Sequence, residues 1–182
     1  MGPKRCGKTR IANFLAGHET NPGSFDTYKP TKGTRILECE KAVQAGKKSL
    51  KLQVELWDCS GDRQYENCWT AILRDAQGVI LCYDPTIKEQ EKDIELWHKT
   101  FVAPLHLGEG QIMVFAHQSQ VGGATYQPPR SFDRMRFLNT TLDSDDSKEA
   151  MEENFVSFLG AVGVAASEKS SADMDAQLQA VG

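Results

Sequence analysis

The segment from Gly2 to Thr9, GPKRCGKT, matches the pattern GxxxxGK[ST], a glycine-rich loop that leads directly into a helix. In such a loop successive backbone N–H groups bind the α and β phosphates of a nucleotide, and the positive end of the helix adds to them. Lys8 is expected to reach the β and γ phosphates, and the Thr9 hydroxyl to coordinate Mg²⁺. The predicted phosphate-binding residues are Gly2, Pro3, Lys4, Arg5, Cys6, Gly7, Lys8 and Thr9.

Two later segments predict the rest of a magnesium and phosphate site. Asp58 to Gly61 forms a D-x-x-G at the end of an alternating strand, where the carboxylate is expected to hold Mg²⁺ through water. The Gly61 N–H is expected to approach the γ-phosphate, because no Cβ stands in the way. Thr31 is expected to coordinate Mg²⁺ with its hydroxyl and the γ-phosphate with its N–H, which would order its loop only in the triphosphate state. The predicted metal ligands are Thr9, Thr31 and Asp58.

Helical and strand patterns alternate along the rest of the chain, which predicts an α/β domain with a mostly parallel central sheet flanked by helices, a P-loop NTPase fold. Strands are predicted at Thr34–Lys41, Ser49–Trp57, Gly78–Tyr83, Gln111–Ala116 and Met135–Asn139. Helices are predicted at Lys8–Leu15, Lys88–Phe101 and Asp146–Val164. The domain is expected to span residues 1–165, and the small polar residues at 166–182 predict a disordered tail.

The position of the phosphate loop at the very start of the sequence carries a further expectation. Such a loop normally follows a buried strand of about five or six residues, and here only Met1 precedes Gly2. Either the chain is N-terminally truncated, which the pattern favours, or the sheet has a gap beside the strand at Val79–Tyr83. In both cases the first strand is expected to be missing and nucleotide affinity to be impaired.

Bulk properties exclude several classes of function. The 182 residues suffice for one globular domain, and a net charge of −4 argues against a nucleic-acid partner, since no basic face accumulates. Five cysteines without a CxxC pair are typical of a reduced intracellular protein. No apolar run approaches a transmembrane length. No lipid anchor is expected, because Cys6 stands where myristoylation needs Ser or Thr and the C-terminus lacks a prenylatable Cys.

These motifs, in this order, resemble those of the Ras/Rab-type small GTPases, with WDxxG and the run Asp75–Ile80 closest to the Rab branch. The segments Tyr28–Glu38, Glu55–Asp62 and Glu66–Trp69 are similar to the family of Rab-like protein 5, also called intraflagellar transport protein 22. The resemblance covers about residues 2–164. It implies a Ras-like G domain that binds GTP with Mg²⁺.

The same resemblance implies partners and a location. A member of this family would be a subunit of intraflagellar transport complex B and would dock onto a pair of coiled-coil subunits. The contact would use the switch-region surface, residues 26–35 and 61–69. The expected location is the cytoplasm and the cilium or flagellum, at the basal body and axoneme.

Two positions depart from a working GTPase. Asp62 stands where Ras-type enzymes place the glutamine that orients the attacking water, so hydrolysis is expected to be slow or absent, with no confident catalytic residue. A carboxylate there would be repelled by γ-phosphate oxygens. Lys4 and Arg5 replace small residues of the loop; they would either clamp the γ-phosphate or point to solvent, and solvent is favoured.

The base-recognition motif is also altered. His117 and Gln118 begin a His-Gln-Ser-Gln segment where a GTPase would show N-K-x-D. The missing Asp would accept two charged hydrogen bonds of about 1.5–3 kcal/mol each, roughly 10²- to 10⁴-fold in base discrimination. His117, Gln118 and Thr141 are the predicted base-side residues. GTP preference therefore depends on the resemblance, and ATP binding is conceivable.

Several functions stay open from the sequence. The leading hypothesis is an adaptor stabilised by bound nucleotide, because the phosphate and metal residues are intact beside an altered catalytic position. The alternatives are an active switching GTPase, a P-loop kinase, and a pseudo-GTPase scaffold that binds no nucleotide. Trp69 is interpreted as a core residue, with an exposed partner anchor as the alternative.

Overall fold

The computed structural model describes residues 1–18, 29–45, 48–118 and 124–180. Its helices are Lys8–Leu15 (α1), Glu66–Leu73 (α2), Lys88–Trp97 (α3) and Asp145–Ala180 (α4). Its strands are Thr34–Ala45 (β1), Lys48–Cys59 (β2), Val79–Tyr83 (β3), Ile112–His117 (β4) and Arg136–Thr140 (β5). A π-helical turn at His98–Val102 continues α3. Three residues named in the sequence analysis lie outside the described residues: Tyr28, Ser119 and Gln120.

The central sheet is parallel, with strand order β3-β4-β5, and this confirms the predicted α/β fold. β1 and β2 form a separate antiparallel hairpin in which Thr34 pairs with Cys59. Among the described strands no ladder joins the hairpin to the parallel sheet. Met1 lies along β3, donating its N-terminal amine to Ile80 O at 2.7 Å and accepting from Cys82 N at 2.9 Å. Met1 therefore lies at the edge of β3 where the first strand was predicted to be missing, and the choice between a truncated chain and a gap in the sheet stays a prediction.

Both faces of the parallel sheet are covered by helices, which explains why β3 and β4 are nearly continuous apolar runs. Met113 and Phe115 of β4 pack in one core with Phe155 of α4. The alternate residues of β4 pack in a second core with the side chains of α2 and α3. This period-2 alternation of one strand between two cores gives three layers, with the sheet in the middle.

Trp69 lies in the second core and is only 1% exposed. Its ring centroid is 4.0 Å from that of Trp97 and 5.2 Å from that of Phe101, the latter edge-on. The core interpretation is confirmed, and the exposed anchor is wrong. The sequence patterns did not predict α2, the helix that carries Trp69, because eight residues with a polar first turn give too short a periodic signal.

The last helix is longer than its sequence pattern indicates. It begins at Asp145 and continues to Ala180, whereas the amphipathic pattern ends at Val164. Residues 165–180 contain no Gly or Pro and are rich in Ala, Ser and acidic residues, so helix propensity extends the element after its apolar stripe ends. The domain boundary at residue 165 stays a prediction. None of the described helices has an apolar stretch that would span a bilayer.

Candidate phosphate and metal site

The phosphate loop is a compact turn between Met1 and α1, and it is pinned to β3. Cys6 Sγ donates to Cys82 O at 3.0 Å, and Cys82 Sγ donates to Cys6 O at 3.0 Å. Gly7 has φ 83°, and a Cβ there would overlap the ring of His117. Only glycine fits this position, since the left-handed backbone and the close contact both exclude a side chain. The second glycine of the motif thus allows the loop to pack onto His117 at the end of β4.

Lys8 crosses the phosphate loop from its end back to its start. Its Nζ donates to Pro3 O at 2.6 Å, and it lies 3.6 Å from Cys6 Sγ. The ammonium group is a mobile point charge with three donors, so phosphate oxygens can replace the carbonyl as its acceptor. The structure therefore places this charge over the loop whose N–H groups the motif assigns to phosphate.

The three predicted metal ligands converge, although they come from α1, the loop before β1 and the end of β2. Thr9 Oγ1 lies 2.8 Å from Thr31 Oγ1 and 2.8 Å from Asp58 Oδ2, and Thr31 Oγ1 lies 3.4 Å from the same carboxylate oxygen. Octahedral Mg²⁺ with ligands at about 2.0–2.1 Å has adjacent ligand oxygens about 2.9 Å apart. Two of the three separations are near this spacing and the third is longer, and hydroxyl and carboxylate oxygens are ligands that Mg²⁺ accepts, so the donor set is compatible with magnesium.

The buried carboxylate of Asp58 also points to a cation. In the described part of the chain its Oδ1 is buried without a hydrogen-bond partner. No group of three or more His, Cys, Asp or Glu residues gathers among the described residues, so any ion here has one carboxylate and mostly neutral oxygens around it. That composition is typical of Mg²⁺ bound together with nucleotide phosphates rather than held by the protein alone.

Sequence analysis did not predict that the guanidinium of Arg35 lies beside the carboxylate of Asp58. Arg35 Nη2 donates to Asn13 Oδ1 at 2.6 Å and lies 3.5 Å from Asp58 Oδ2. Arg35 and Asp58 are cross-strand partners in the β1–β2 hairpin, which is the signal that could have revealed the pair. The guanidinium therefore compensates part of the charge on the buried carboxylate.

The residues after β2 approach the phosphate loop closely. A Cβ on Gly61 would overlap the backbone of Gly2, Pro3 and Lys4, so Gly61 lies directly against the phosphate loop, and its approach to a γ-phosphate stays a prediction. Lys4 Nζ lies 2.8 Å from Asp62 Oδ2. The expectation that Lys4 points to solvent is thus corrected: its side chain is half-exposed but ion-paired. The hydrogen bond from Lys4 lowers the pKa of Asp62, which stays ionised.

The backbone of Lys4 is held from the other side by a residue that sequence analysis did not single out. Gln90, which is buried, donates its Nε2 to Lys4 O at 3.0 Å and accepts from Asp84 N at 2.9 Å. Arg5, next in the loop, has φ 62°. A non-glycine residue in this left-handed region costs free energy, so its neighbours must hold the loop in place.

On the predicted base side, the side chains are engaged inside the protein. His117 is fully buried, with its Nδ1 3.1 Å from Thr140 Oγ1, and its Nε2 has no hydrogen-bond partner among the residues that the structure describes. Burial lowers the pKa of His117 to about 4, so the ring is neutral at pH 7. Gln118 donates its Nε2 to Ala124 O at 2.7 Å.

Thr141 is engaged in a turn after β5. Its N–H donates to Ser147 Oγ at 2.9 Å, and its Oγ1 accepts from Asp143 N at 3.2 Å. The structure thus brings the phosphate and metal residues together around one point, while it ties His117, Gln118 and Thr141 into internal bonds. A role for these three in binding a base stays a prediction.

Comparisons with known proteins give a consistent result. A family model, the Ras of Complex, Roc, domain of DAPkinase, matches residues 1–119. The intraflagellar transport protein 22 homolog of Danio rerio is 36% identical over 166 residues, covering 89% of this chain and 87% of the relative. The Homo sapiens homolog is 33% identical over 168 residues, covering 89% of this chain and 86% of the relative.

Two solved structures are similar to this one. The GTP-bound IFT22/74/81 structure of T. brucei matches with TM-score 0.70 and 31% identity, covering 91% of this chain and 95% of that chain. The GDP-bound IFT22 structure of T. brucei matches with TM-score 0.60 and 32% identity, covering 84% of this chain and 88% of that chain.

Proposed function

This chain belongs to the intraflagellar transport protein 22 family, and from that premise we propose that it is a guanine-nucleotide-binding subunit of intraflagellar transport complex B. The convergence of Thr9, Thr31 and Asp58 oxygens beside the phosphate loop carries the proposal. The GTP-bound and GDP-bound structures of the trypanosome relative support guanine nucleotide as the ligand. The proposed location is the cytoplasm and the cilium or flagellum.

In this proposal some residues of the site would bind the phosphates and others would bind the metal ion. The loop N–H groups and Lys8 bind phosphate oxygens, while Thr9 and Thr31 present hydroxyls, and Asp58 a carboxylate, to Mg²⁺. The metal supplies positive charge that the phosphates need in a partly buried site. Arg35 compensates part of the charge on Asp58, since its Nη2 lies 3.5 Å from Oδ2, the same oxygen that the two threonine hydroxyls contact.

We propose further that the protein hydrolyses GTP slowly or not at all. The carboxylate of Asp62 is occupied by Lys4 at 2.8 Å and by Gln64 Nε2 at 3.0 Å. Gln64 is the amide side chain nearest in sequence to the catalytic position, and its donor is used in that bond. A group that orients the attacking water is therefore lacking at position 62, and an adaptor role fits better than a switching enzyme.

We propose that the partner surface, expected at the switch segments 26–35 and 61–69, also includes the outer face of the β1–β2 hairpin, which joins these segments in the sequence. Ile36 and Trp57 are cross-strand partners, 48% and 44% exposed. Glu38 and Glu55 are the next pair on this face, and like charges directly opposite each other destabilise a sheet. An apolar pair beside two glutamates fits a coiled-coil partner that presents an apolar side chain flanked by Lys or Arg.

The identity of the ligand is tested by denaturing the purified protein with heat and analysing the released nucleotide. The proposal expects GDP or GTP in about one copy per chain. Recovery of ATP or ADP instead would contradict guanine binding. Single-turnover hydrolysis of bound GTP is expected to be slow, and prompt phosphate release would favour the switching-GTPase alternative.

Partner docking is tested by replacing the exposed tryptophan. Trp57→Ser is expected to weaken binding to the coiled-coil subunits at least tenfold, because a desolvated aromatic anchor contributes about 2 kcal/mol or more. Leu50→Ser, an equally exposed apolar residue at the far end of β2, is the matched control and should change little. Equal losses for both variants would contradict the proposed surface.

A scaffold that binds no nucleotide is the second candidate function. Its supporting observation is that both groups which would meet the ligand already have partners within the chain. Lys8 Nζ donates to Pro3 O at 2.6 Å, and Asp58 lies 3.5 Å from Arg35. Absence of nucleotide after heat denaturation, together with unchanged partner affinity for Lys8→Ala, would establish the scaffold instead.

A further inference from the structure

Lys4 and Asp62 join the two segments that flank the predicted γ-phosphate position. Lys4 lies in the middle of the phosphate loop, and Asp62 directly follows Gly61, whose N–H the motif assigns to the γ-phosphate. Their charged groups are 2.8 Å apart. The loop after β2 is thus bonded to the phosphate loop by an ion pair of the chain itself.

Both ends of this ion pair are held in place. Asp62 accepts from Gln64 N at 3.2 Å and from Gln64 Nε2 at 3.0 Å, and its own N–H donates to Ser60 Oγ at 3.2 Å. On the other side Gln90 donates to the backbone oxygen of Lys4. The Asp62 carboxylate is thus fixed before it pairs, and Lys4 is fixed at its backbone, so this pair should lose less entropy on forming than a pair between two free surface side chains.

We propose that the Lys4–Asp62 pair sets the preference between a nucleoside diphosphate and a triphosphate, which rests on the nucleotide binding proposed above. A γ-phosphate adds roughly two negative charges beside this pair. The carboxylate repels those charges and the ammonium attracts them. While the two are paired, their effects on a terminal phosphate largely cancel, and the Lys4 charge is withheld from it. The loop after β2 is held in either nucleotide state, which suits an adaptor.

The proposal predicts opposite effects from the two ends of the pair. Asp62→Asn frees the ammonium for a terminal phosphate, so the ratio of GTP to GDP affinity should rise about three- to fivefold, as expected for half-exposed charges. Lys4→Met keeps the aliphatic part of the side chain but leaves the Asp62 carboxylate without its cation. The ratio of GTP to GDP affinity should therefore fall by a similar factor. The double variant should return close to the wild-type ratio.

The measurement is a titration of fluorescent GDP and a non-hydrolysable fluorescent GTP analogue against each purified variant. The matched control is the exposed pair Lys51 and Glu40, which is 3.0 Å apart on the hairpin, away from the site. Lys51→Met and Glu40→Gln remove the same charges and should leave the ratio unchanged. A ratio that moves in the same direction for Lys4→Met and Asp62→Asn, or in neither, overturns the role of the pair.

A second readout needs no nucleotide. In a pH titration followed by NMR, Asp62 should titrate below its ordinary range in the nucleotide-free protein, and Lys4→Met should raise its pKa toward that range. An Asp62 pKa that Lys4→Met leaves unchanged shows that the pair does not form and overturns the inference. Failure of every variant and of the wild type to bind either nucleotide overturns the proposed function as well, whereas binding with unchanged ratios overturns only the pair.

Discussion

The two sides of the candidate nucleotide site differ in how they are built. On the phosphate side, Thr9, Thr31 and Asp58 turn their oxygens toward one another and Asp58 keeps an unpartnered buried oxygen. On the base side, His117 and Gln118 are bonded to neighbouring protein groups. Affinity is therefore expected to reside on the phosphate side. We expect His117 and Gln118 to contribute mainly to packing, so replacing them should affect stability more than ligand choice.

The largest expected effect concerns His117, and it tests whether the base side contributes to folding stability. Its pKa is lowered from 6.5 to about 4 by burial, so the unfolded chain binds more protons than the folded one between these pH values. Stability should fall as the pH drops from 6.5 toward 4, by about 3 kcal/mol if the whole shift is expressed. Urea unfolding at several pH values measures it.

The control for this prediction is His117→Gln, which should unfold more easily at pH 7 but lose most of the acid dependence in that window. His98 and the exposed histidines remain in the variant as an internal comparison. An identical pH profile for the two proteins would show that His117 is not the buried neutral group described here. In that case the base side would not be a packing element.

The next largest effect is expected on the phosphate side. Lys8→Ala removes a charged donor to phosphate and should weaken nucleotide binding about 10- to 100-fold, since such hydrogen bonds contribute about 1.5–3 kcal/mol. Stability without nucleotide should change little, because among the described residues the Lys8 ammonium bonds only to Pro3 O and Cys6 Sγ, both in the phosphate loop itself. Fluorescent-nucleotide titration measures the loss, and Lys51→Ala is the control. A change below threefold would contradict the central role of the loop.

The smallest effect is expected on base choice. Gln118→Ala removes a side chain whose amide is bonded to Ala124 O, so the ratio of GDP to ADP affinity should stay within about threefold. Competition between the two diphosphates for the wild-type and variant proteins measures that ratio. A tenfold change would mean that Gln118 reads the base directly and that the two sides of the site are less different than proposed.

Local motifs predicted the elements that carry the candidate phosphate side, whereas its binding of phosphate stays a prediction. The glycine-rich loop and α1 are specified by adjacent residues, so Lys8–Leu15 was predicted with its observed ends. The convergence of Thr9 with Asp58, 49 positions apart, was predictable because the order of the motifs implies where the strand carrying Asp58 ends. Apolar runs likewise predicted β3 and β4 to within a residue or two at each end, since a strand buried on both faces has an unmistakable composition.

Features that depend on contacts distant in sequence were missed. The Lys4–Asp62 and Arg35–Asp58 pairs join charged residues that each look solvated in the sequence, and only the folded chain brings them together. The place of His117 against Gly7 was missed for the same reason, because it needs the packing of β4 against the phosphate loop. Helix α4 passes its predicted end because intrinsic propensity continues where the apolar stripe stops.

The magnesium dependence of nucleotide affinity tests the central claim most directly. GDP affinity would be titrated in millimolar Mg²⁺ and again in EDTA, for the wild type and for Thr9→Val, which keeps the shape of the side chain without its hydroxyl. The account predicts that EDTA weakens wild-type binding at least tenfold and that Thr9→Val loses most of this dependence. Equal affinity of the wild-type protein with and without Mg²⁺ would show that Thr9, Thr31 and Asp58 do not form a metal site, and would contradict the account.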